Sequence, residues 1–549
     1  MSHWDVITKI DTKISNEFKI RITGRYYTPN NVASYIFSIL IPQLKQMDFY
    51  QNKVTIVDPF AGDGRLVIWL IEAWQSLRLP DIHWDIYLFD LDGNSLELAS
   101  INLDKLKRQG VRLSYKATIE DTFKLPEFYN NKFDIVITNP PWELLKPDSR
   151  ELYEFNKEDK DNYIATMKTY DNYLKEKYPL SQPLKKFAGW GTNLSRVGAE
   201  LSFKFCKNNG YLAIVLPASF FADEQSMHIR KELLSKSIIY DIAYYPAEAK
   251  LFGKADVSSS SLVLKKVDSG ADNIQVSIFD KFFKIKSSDI ISYQSMKLDD
   301  NHLIPITLGG KAITLFEKMK KKLPNWKELE NSDGLWAGRE IDETGSQSWL
   351  SLSGNGPKFI KGKMIDRFRI IEKPYQYISK DDWNPQNSCK FDRIAWRDVS
   401  RPSQKRRVVA TIIPQDTVAG NSLNVAYFKD GDKKALISLL AIMNSLCFEF
   451  QLRCYLATGH ISLSAIRKVH LPAKKALMNL QSLIEAVQEC LNQNLAFSAK
   501  IEAIVAKEVY GLSLDELNLL LDTFDKCTLQ EKNDVLTEFN NITIEHNEK

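Results

Sequence analysis

The tetrapeptide Asn139-Pro140-Pro141-Trp142 carries the most specific chemistry in this chain. Asn139 offers a side-chain carbonyl and Pro140 a backbone carbonyl, two acceptors one residue apart. Each proline holds the residue before it in extended geometry and removes a backbone donor. The acceptors are therefore fixed before any substrate arrives, which is the condition for electrostatic preorganisation. They suit an amine with two N–H bonds whose lone pair is delocalised into an aromatic ring, as in adenine. Drawn toward tetrahedral geometry, that nitrogen becomes nucleophilic without a general base of tuned pKa. Trp142 adds a flat face on which an extruded base can stack. The bland alternative is a rigid turn that ends a strand and leaves its tryptophan in the core.

The second constellation is DPFAGDGR, Asp58 to Arg65. Ala61, Gly62 and Gly64 allow a tight turn and close approach of a ligand to the backbone. Neither GxxxxGK[ST] nor GxGxxG is present, so nucleotide phosphates are a poor match. Asp58 and Asp63 favour a cationic ligand instead. A sulfonium bearing an amino-acid group meets that description, which points to S-adenosyl-L-methionine with Phe60 and Gly62 among its contacts. Asp90, at the end of DIYLFD, is placed to accept the hydroxyls of a ribose. Asp121, in KATIEDTF, is placed to accept an adenine amine, with Glu120 as competitor. Thr28 followed by Pro29 reads as an N-cap and first helical residue, whose free amides attract a carboxylate.

These residues need a scaffold that brings them to one edge. Apolar runs at VTIVD (54–58), DIYLFD (85–90), FDIVIT (133–138) and GYLAIVLPASFF (210–221) read as buried strands. RLVIWLIEAWQSL (65–77) and a stretch near 94–108 read as amphipathic helices, and IIYDIAYY and SSLVLKK as closing strands. Alternating strands and helices predict an α/β fold: a mostly parallel, Rossmann-like sheet covered by helices on both faces. The charged, Tyr-rich stretch 150–190 interrupts the alternation, either as a solvated insertion or as a flap over the substrate.

The chain has 549 residues, 44% hydrophobic and 26% charged, a soluble globular composition with a length prior of roughly three domains. Its net charge of +4 arises from 73 basic and 69 acidic residues, so any nucleic-acid contact must rest on local clusters. Six cysteines without CxxC and seven histidines without HxxxH argue against a metal site and for reduced thiols in the cytoplasm. No secretion signal is legible, and no apolar run approaches the roughly 20 residues of a bilayer span.

The order RYYTP, DPFAGDG, FDLD, EDTF, NPPW, VLPASFF, LFGKADVSSS resembles the γ-class adenine DNA methyltransferases of the TaqI type, the modification enzymes of type II restriction systems. The resemblance covers roughly 21–265 and, more loosely, 301–549. It implies methyl transfer to the N6 amine of a flipped-out adenine in double-stranded DNA. It also implies an aromatic, here Phe252, that stacks on the flipped base opposite Trp142, with Lys254 nearby. Read from its own sequence context, Phe252 is a core residue. Trp142 stands where such enzymes often carry Tyr or Phe.

The implied organisation is a catalytic domain over 1–270, a linker over 271–300, a mixed α+β target-recognition domain over 301–475, and a helical region over 476–549. Within the last, Ser513 and Glu516 have the spacing of a capping box. The segment 390–407, KFDRIAWRDVSRPSQKRR, holds seven basic and two acidic residues and reads as a hairpin turning at RPSQ. Arg401, Lys405, Arg406 and Arg407 are its candidate phosphate contacts. The alternative substrates are a protein glutamine and an RNA adenine. The roughly 250 residues behind the catalytic sheet favour a long polymer. No PD…(D/E)xK pattern stands out, so cleavage is expected from a separate restriction endonuclease.

Overall fold

The computed structural model describes residues 27–547 apart from 48–51, 148–155, 185–189, 253–256, 269, 271, 297–301, 322, 343–346, 355, 380–386, 401–403 and 457–459. The chain divides into two compact units, Met1–Gly310 and Lys311–Lys549.

In the first unit the apolar runs form strands β1 (Lys53–Asp58), β2 (His83–Asp90), β3 (Leu113–Ile119), β4 (Phe133–Thr138) and β5 (Cys206–Pro217). Strands β6 (Ser237–Tyr245), β7 (Ser259–Lys266), β8 (Asn273–Phe279) and β9 (Ile285–Ser292) follow. They make one nine-stranded sheet in the order β3-β2-β1-β4-β5-β7-β6-β8-β9. From β3 to β5 every pairing is parallel, and β7 runs antiparallel between β5 and β6. The chain moves outward from β1 through β2 to β3, then returns to place β4 on the other side of β1. That reversal opens a crevice at the carboxyl ends of β1 and β4, where ligands bind in such sheets.

The helices cover the sheet because their apolar residues recur on one face. Helix α1 (Asn30–Leu44) buries Val32, Ala33, Ile36, Leu40 and Leu44. Helix α2 (Arg65–Ser76) buries Leu66, Val67, Leu70, Ile71 and Trp74, each side chain contributing about 1.5–3 kcal/mol relative to exposure. Helix α3 (Gly93–Arg108) buries Leu96, Ala99, Leu103 and Leu106 and ends in Lys105, Lys107 and Arg108, which suit the negative end of its dipole. These side chains join Val54, Ile56, Ile86, Leu88, Ile135 and Ile137 in one core.

The stretch 271–300, expected as a linker, contributes β8 and β9 instead. Its polarity misled because β9 is an edge strand that leaves most of its residues exposed or half-exposed, whereas β8 buries Ile274, Val276, Ile278 and Phe279. The last residues of GYLAIVLPASFF also leave the sheet, since the strand stops at Pro217 and Ser219–Ala222 form a helical turn.

The second unit holds two four-stranded sheets. One is antiparallel, in the order Leu335–Gly338, Leu423–Phe428, Arg393–Arg397, Ala410–Ile413. Helices follow, including Lys433–Asn444, Leu446–Arg453 and Leu514–Asp522. The capping box expected at Ser513 forms with both bonds, from the Glu516 amide to Ser513 Oγ at 3.2 Å and from the Ser513 amide to Glu516 at 2.7 Å. Among the described residues no single helix is long and apolar enough to cross a membrane. The bent pair Lys433–Asn444 and Leu446–Arg453 has the length and composition together, but its side chains are mostly buried.

Candidate active site

Three carboxylates close consecutive strands of the sheet: Asp58 on β1, Asp90 on β2, and Asp121 just past β3. Asp58 is buried and sits between the two constellations. It accepts a hydrogen bond from Thr138 Oγ1 at 2.6 Å and one from the Phe60 amide at 3.1 Å. Thr138 is the residue before Asn139, so one carboxylate ties the glycine loop after β1 to the Asn139–Trp142 turn after β4. Burial pushes the Asp58 carboxyl up to about 7, against the pull of those two donors.

Asp90 shapes the glycine loop directly, accepting from the Gly62 amide at 2.7 Å and from the Asp92 amide at 2.9 Å. Gly62 lies at φ 51°, and a Cβ there would stand 2.8 Å from the Tyr27 ring. Tyr27 in turn lies under the Arg65 guanidinium at 4.1 Å and bonds Ser95, while Arg65 pairs with Asp63 at 2.6 Å. Asp63 is thereby engaged by its neighbour. Phe60 meets Phe123 at 5.2 Å, and Thr122 Oγ1 donates to the Pro59 carbonyl at 2.5 Å, which fixes the Asp121–Phe123 segment against the loop.

Thr28 does not cap its helix. The cap position belongs to Pro29, and α1 starts at Asn30. The Thr28 hydroxyl is instead buried with no hydrogen-bond partner among the described residues, one residue before that cap. The boundary moved by one residue because Pro29 holds extended geometry, φ −66° and ψ 152°.

The turn after β4 is held from outside by α5 (Leu194–Phe205) and the strand-like residues before it. Leu145 donates to the Thr192 carbonyl at 2.9 Å and Leu194 to the Glu143 carbonyl at 2.8 Å. Gly198 on α5 packs so closely that a Cβ there would stand 2.3 Å from Pro140. Pro140 is buried and Asn139 half-buried. Trp142 is partly buried, and its Nε1 has no hydrogen-bond partner among the described residues.

Phe252 is 4% exposed and packs edge-on to Trp142, with ring centroids 4.8 Å apart at 61°. A base sandwiched between them would need the rings roughly two stacking distances apart, so Phe252 backs Trp142 here and does not oppose it. Its placement agrees with the core reading of its sequence context. Lys254, expected nearby, lies outside the described residues.

The basic hairpin departs most from expectation. Arg406 is 6% exposed. It pairs with Glu449 at 2.9 Å and Glu502 at 3.0 Å and donates to the Asn444 carbonyl. Glu449, despite burial, is held down at about 2 by Arg453 and Arg406. Arg407 is likewise 6% exposed, and Arg393 is fully buried against Glu340. Arg406 is structural, because two carboxylates distant in sequence meet its charge inside the unit, and Arg407 is withdrawn from solvent beside it. Lys405 remains half-exposed and pairs with Glu531. Arg401 lies outside the described residues.

Several participants were not singled out in the sequence: Thr138, Gly198, Phe123 and Tyr170. Tyr170 comes from α4 (Lys157–Lys177), within the charged stretch 150–190, and reaches Asp121. The lone glycine in NLSRVGAEL was the available signal for Gly198, since an isolated glycine in a helical pattern marks close packing. Among the described residues no cluster of three His, Cys, Asp or Glu is arranged to hold a metal.

Residues 15–173 match the family described as N-6 DNA methylase. The type II methyltransferase M.VspI of Vibrio sp. (strain 343) is 26% identical over 231 residues, 42% of this chain and 45% of that protein. A protein of Methanocaldococcus jannaschii, whose name proposes a type II restriction enzyme and methyltransferase, is 22% identical over 448 residues, 76% of this chain and 33% of that one. The chain thus spans less than half the length of the curated relatives it matches. The type IIL restriction-modification enzyme MmeI, solved in complex with DNA, aligns over 98% of this chain and 76% of its own at 10% identity and a TM-score of 0.50. The sheet of the first unit, with its switch point beside β1 and its antiparallel β7, is an open, mostly parallel sheet of Rossmann-like topology.

Proposed function

We propose that the chain is a DNA methyltransferase that moves a methyl group from S-adenosyl-L-methionine to the N6 amine of a flipped-out adenine. The observation that carries this reading is the junction of the two constellations: Asn139 and Pro140 follow directly on Thr138, which is bonded to Asp58 of the cofactor loop. The match of 15–173 to the N-6 DNA methylases supports it.

The residues present fit the cofactor. Gly62 and Tyr27 form a cradle that any side chain at Gly62 would fill. Asp90 and Asp121 are acceptors at adjoining strand ends, suited to a ribose and an adenine amine. The buried Thr28 hydroxyl, without a hydrogen-bond partner among the described residues, lies beside the α1 N-terminus and suits a carboxylate. When bound, S-adenosyl-L-methionine supplies an electrophilic methyl on a positively charged sulfur. The chain's own part is to hold the amine and exclude alternatives. Asn139 Oδ1 and the Pro140 carbonyl accept the two N–H bonds, Gly198 keeps the turn from relaxing, and Trp142 carries the base on its face with Phe252 behind it.

The order of motifs supports the γ, TaqI-type arrangement, with target recognition in the second unit. Because Arg406 and Arg407 are buried, the exposed Lys358, Lys363 and Lys373 become the better candidates for phosphate contact. As the modification activity of a restriction-modification system, the enzyme would protect the sites cut by a cognate endonuclease. The test is transfer from tritium-labelled cofactor to duplex DNA, to RNA of the same sequence and to a mixed polypeptide substrate. Label on adenine of the duplex is expected; label on polypeptide or RNA alone would overturn the proposal.

A further inference from the structure

The charged stretch 150–190 contributes a helix whose sequence explains its placement. Asn156 caps α4 by accepting from the Asp159 amide, Glu158 and Asp159 occupy its first turn, and Lys175 and Lys177 its last. Tyr163, Met167, Tyr170 and Leu174 are buried at helical spacing, so one face is turned inward despite the polar composition. That inward face grips a single short segment. The Tyr170 hydroxyl lies 3.1 and 3.0 Å from the two oxygens of Asp121. The hydroxyls of Tyr173 and Tyr178, the residue after the helix, both donate to the Phe123 carbonyl, at 3.1 and 2.9 Å. Lys177 donates to the Leu125 carbonyl at 2.8 Å. Four polar side chains from one insertion therefore converge on residues 121–125, which lie against the cofactor loop through Phe60 and Pro59.

This convergence exceeds what anchoring a loop requires. Asp121 is 9% exposed, already accepts from the Phe123 amide at 3.1 Å, and loses most of its water on folding. Burial raises its carboxyl, and the Tyr170 hydroxyl is the foremost interaction pulling it back. Lys124 Nζ also lies 3.9 Å from Asp121 Oδ2, and it and Lys177 favour the ionised carboxyl in wild type and variant alike. A carboxylate has about four acceptor positions, so the two hydrogen-bond donors leave room for an amine while fixing the plane in which it is received.

Resting on the cofactor reading above, we propose that Tyr170 is a positioning residue that holds Asp121 as an oriented acceptor for the cofactor's purine amine. The insertion helix α4 thereby sets purine selectivity in the pocket. It is a built part of the site, and not only a solvated excursion.

The test uses the full chain and two probes, S-adenosyl-L-homocysteine and its hypoxanthine counterpart, in which a 6-oxo group replaces the amine. Affinities come from titration calorimetry between pH 5.5 and 8.5, with thermal melting as the check on folding. The wild type should prefer the amine-bearing probe. Tyr170→Phe should weaken that probe about tenfold and leave the oxo probe within about twofold. Its affinity for the amine probe should also be lost at higher pH than in the wild type as the solution is acidified, because the phenylalanine no longer favours the ionised carboxyl. Asp121→Asn should reverse the preference, since an amide can donate to the 6-oxo group, and this holds the test open should Tyr170→Phe fail to fold. Equal weakening of both probes by Tyr170→Phe, or no change in either, would overturn the inference. Failure of the wild type to bind either probe would instead overturn the cofactor reading.

Discussion

Gly198→Ala probes the catalytic turn without touching a reacting atom. The added Cβ would stand 2.3 Å from Pro140 Cβ, 3.1 Å from its Cγ and 3.3 Å from the Phe60 ring. Comfortable carbon–carbon contact begins near about 3.5 Å, so Pro140 and α5 must separate by roughly 1.2 Å or more. Alanine favours the helix over glycine by about 1 kcal/mol, and overpacking costs about 1–3 kcal/mol, so net stability should change little or fall modestly. Geometry is the sensitive quantity. The Pro140 carbonyl is one of the two proposed acceptors, and a displacement near 1 Å at a reacting centre costs about a hundredfold in rate. Single-turnover methyl transfer to duplex DNA should fall by about two orders of magnitude. Affinity for S-adenosyl-L-homocysteine should drop only slightly, through the Phe60 contact. A melting curve close to wild type, unchanged cofactor affinity and a rate within about threefold of wild type would refute the claim that this contact sets the acceptor.

Asp241 accepts from Tyr35 and Ser277 through Oδ1, while its buried Oδ2 has no partner among the described residues. Burial pushes its carboxyl up to about 7 from 3.8. A value raised on folding favours the fold below pH 4 and loses that contribution as pH rises through 7, so at pH 8 the ionised group opposes folding. Asp241→Asn should therefore be the more stable form at pH 8, by at most about 4 kcal/mol, with the gap narrowing below pH 7 and closing near pH 4 in denaturant titrations; a pH-independent difference would remove the charge from the explanation. Arg406→Ala should destabilise the second unit by about 3–5 kcal/mol, because Glu449 and Glu502 would be left buried and unpaired. A variant as stable as wild type with a reduced salt slope for DNA would restore Arg406 to the interface. Lys358→Ala should lower the slope of log K against log salt by about one, and an unchanged slope would move the DNA-contacting surface elsewhere.

The elements that carry the site were legible because their signals are local. An apolar run that stops at an acid, as VTIVD does, or just ahead of an Asn-Pro-Pro turn, as FDIVIT does, marks a buried strand and its end. The Ser513 capping box is equally local, two bonds within four residues. What escaped depends on partners far along the chain. Arg406 looks like a phosphate contact until Glu449 and Glu502, 43 and 96 residues away, fold onto it. The polar residues of β9 looked like a linker because an edge strand can expose both faces while still pairing with β8. Tyr170 is hidden in a stretch rich in Lys, Asp and Tyr, where only the spacing of Tyr163, Met167, Tyr170 and Leu174 marks an inward face. Thr28 was placed beside the correct helix, but the choice between Thr28 and Pro29 as cap turned on one backbone dihedral that composition does not report.

In the proposed mechanism Asn139 and Pro140 grip the amine of an adenine in DNA. Nucleoside mass spectrometry of plasmid DNA recovered from cells expressing the wild type or Asn139→Ala, with single-molecule sequencing to locate the mark, tests it directly. N6-methyladenine at one recurrent sequence in the wild type and none in the variant is the expected result. Methylcytosine in place of methyladenine, or adenine methylation that survives in Asn139→Ala, would contradict it.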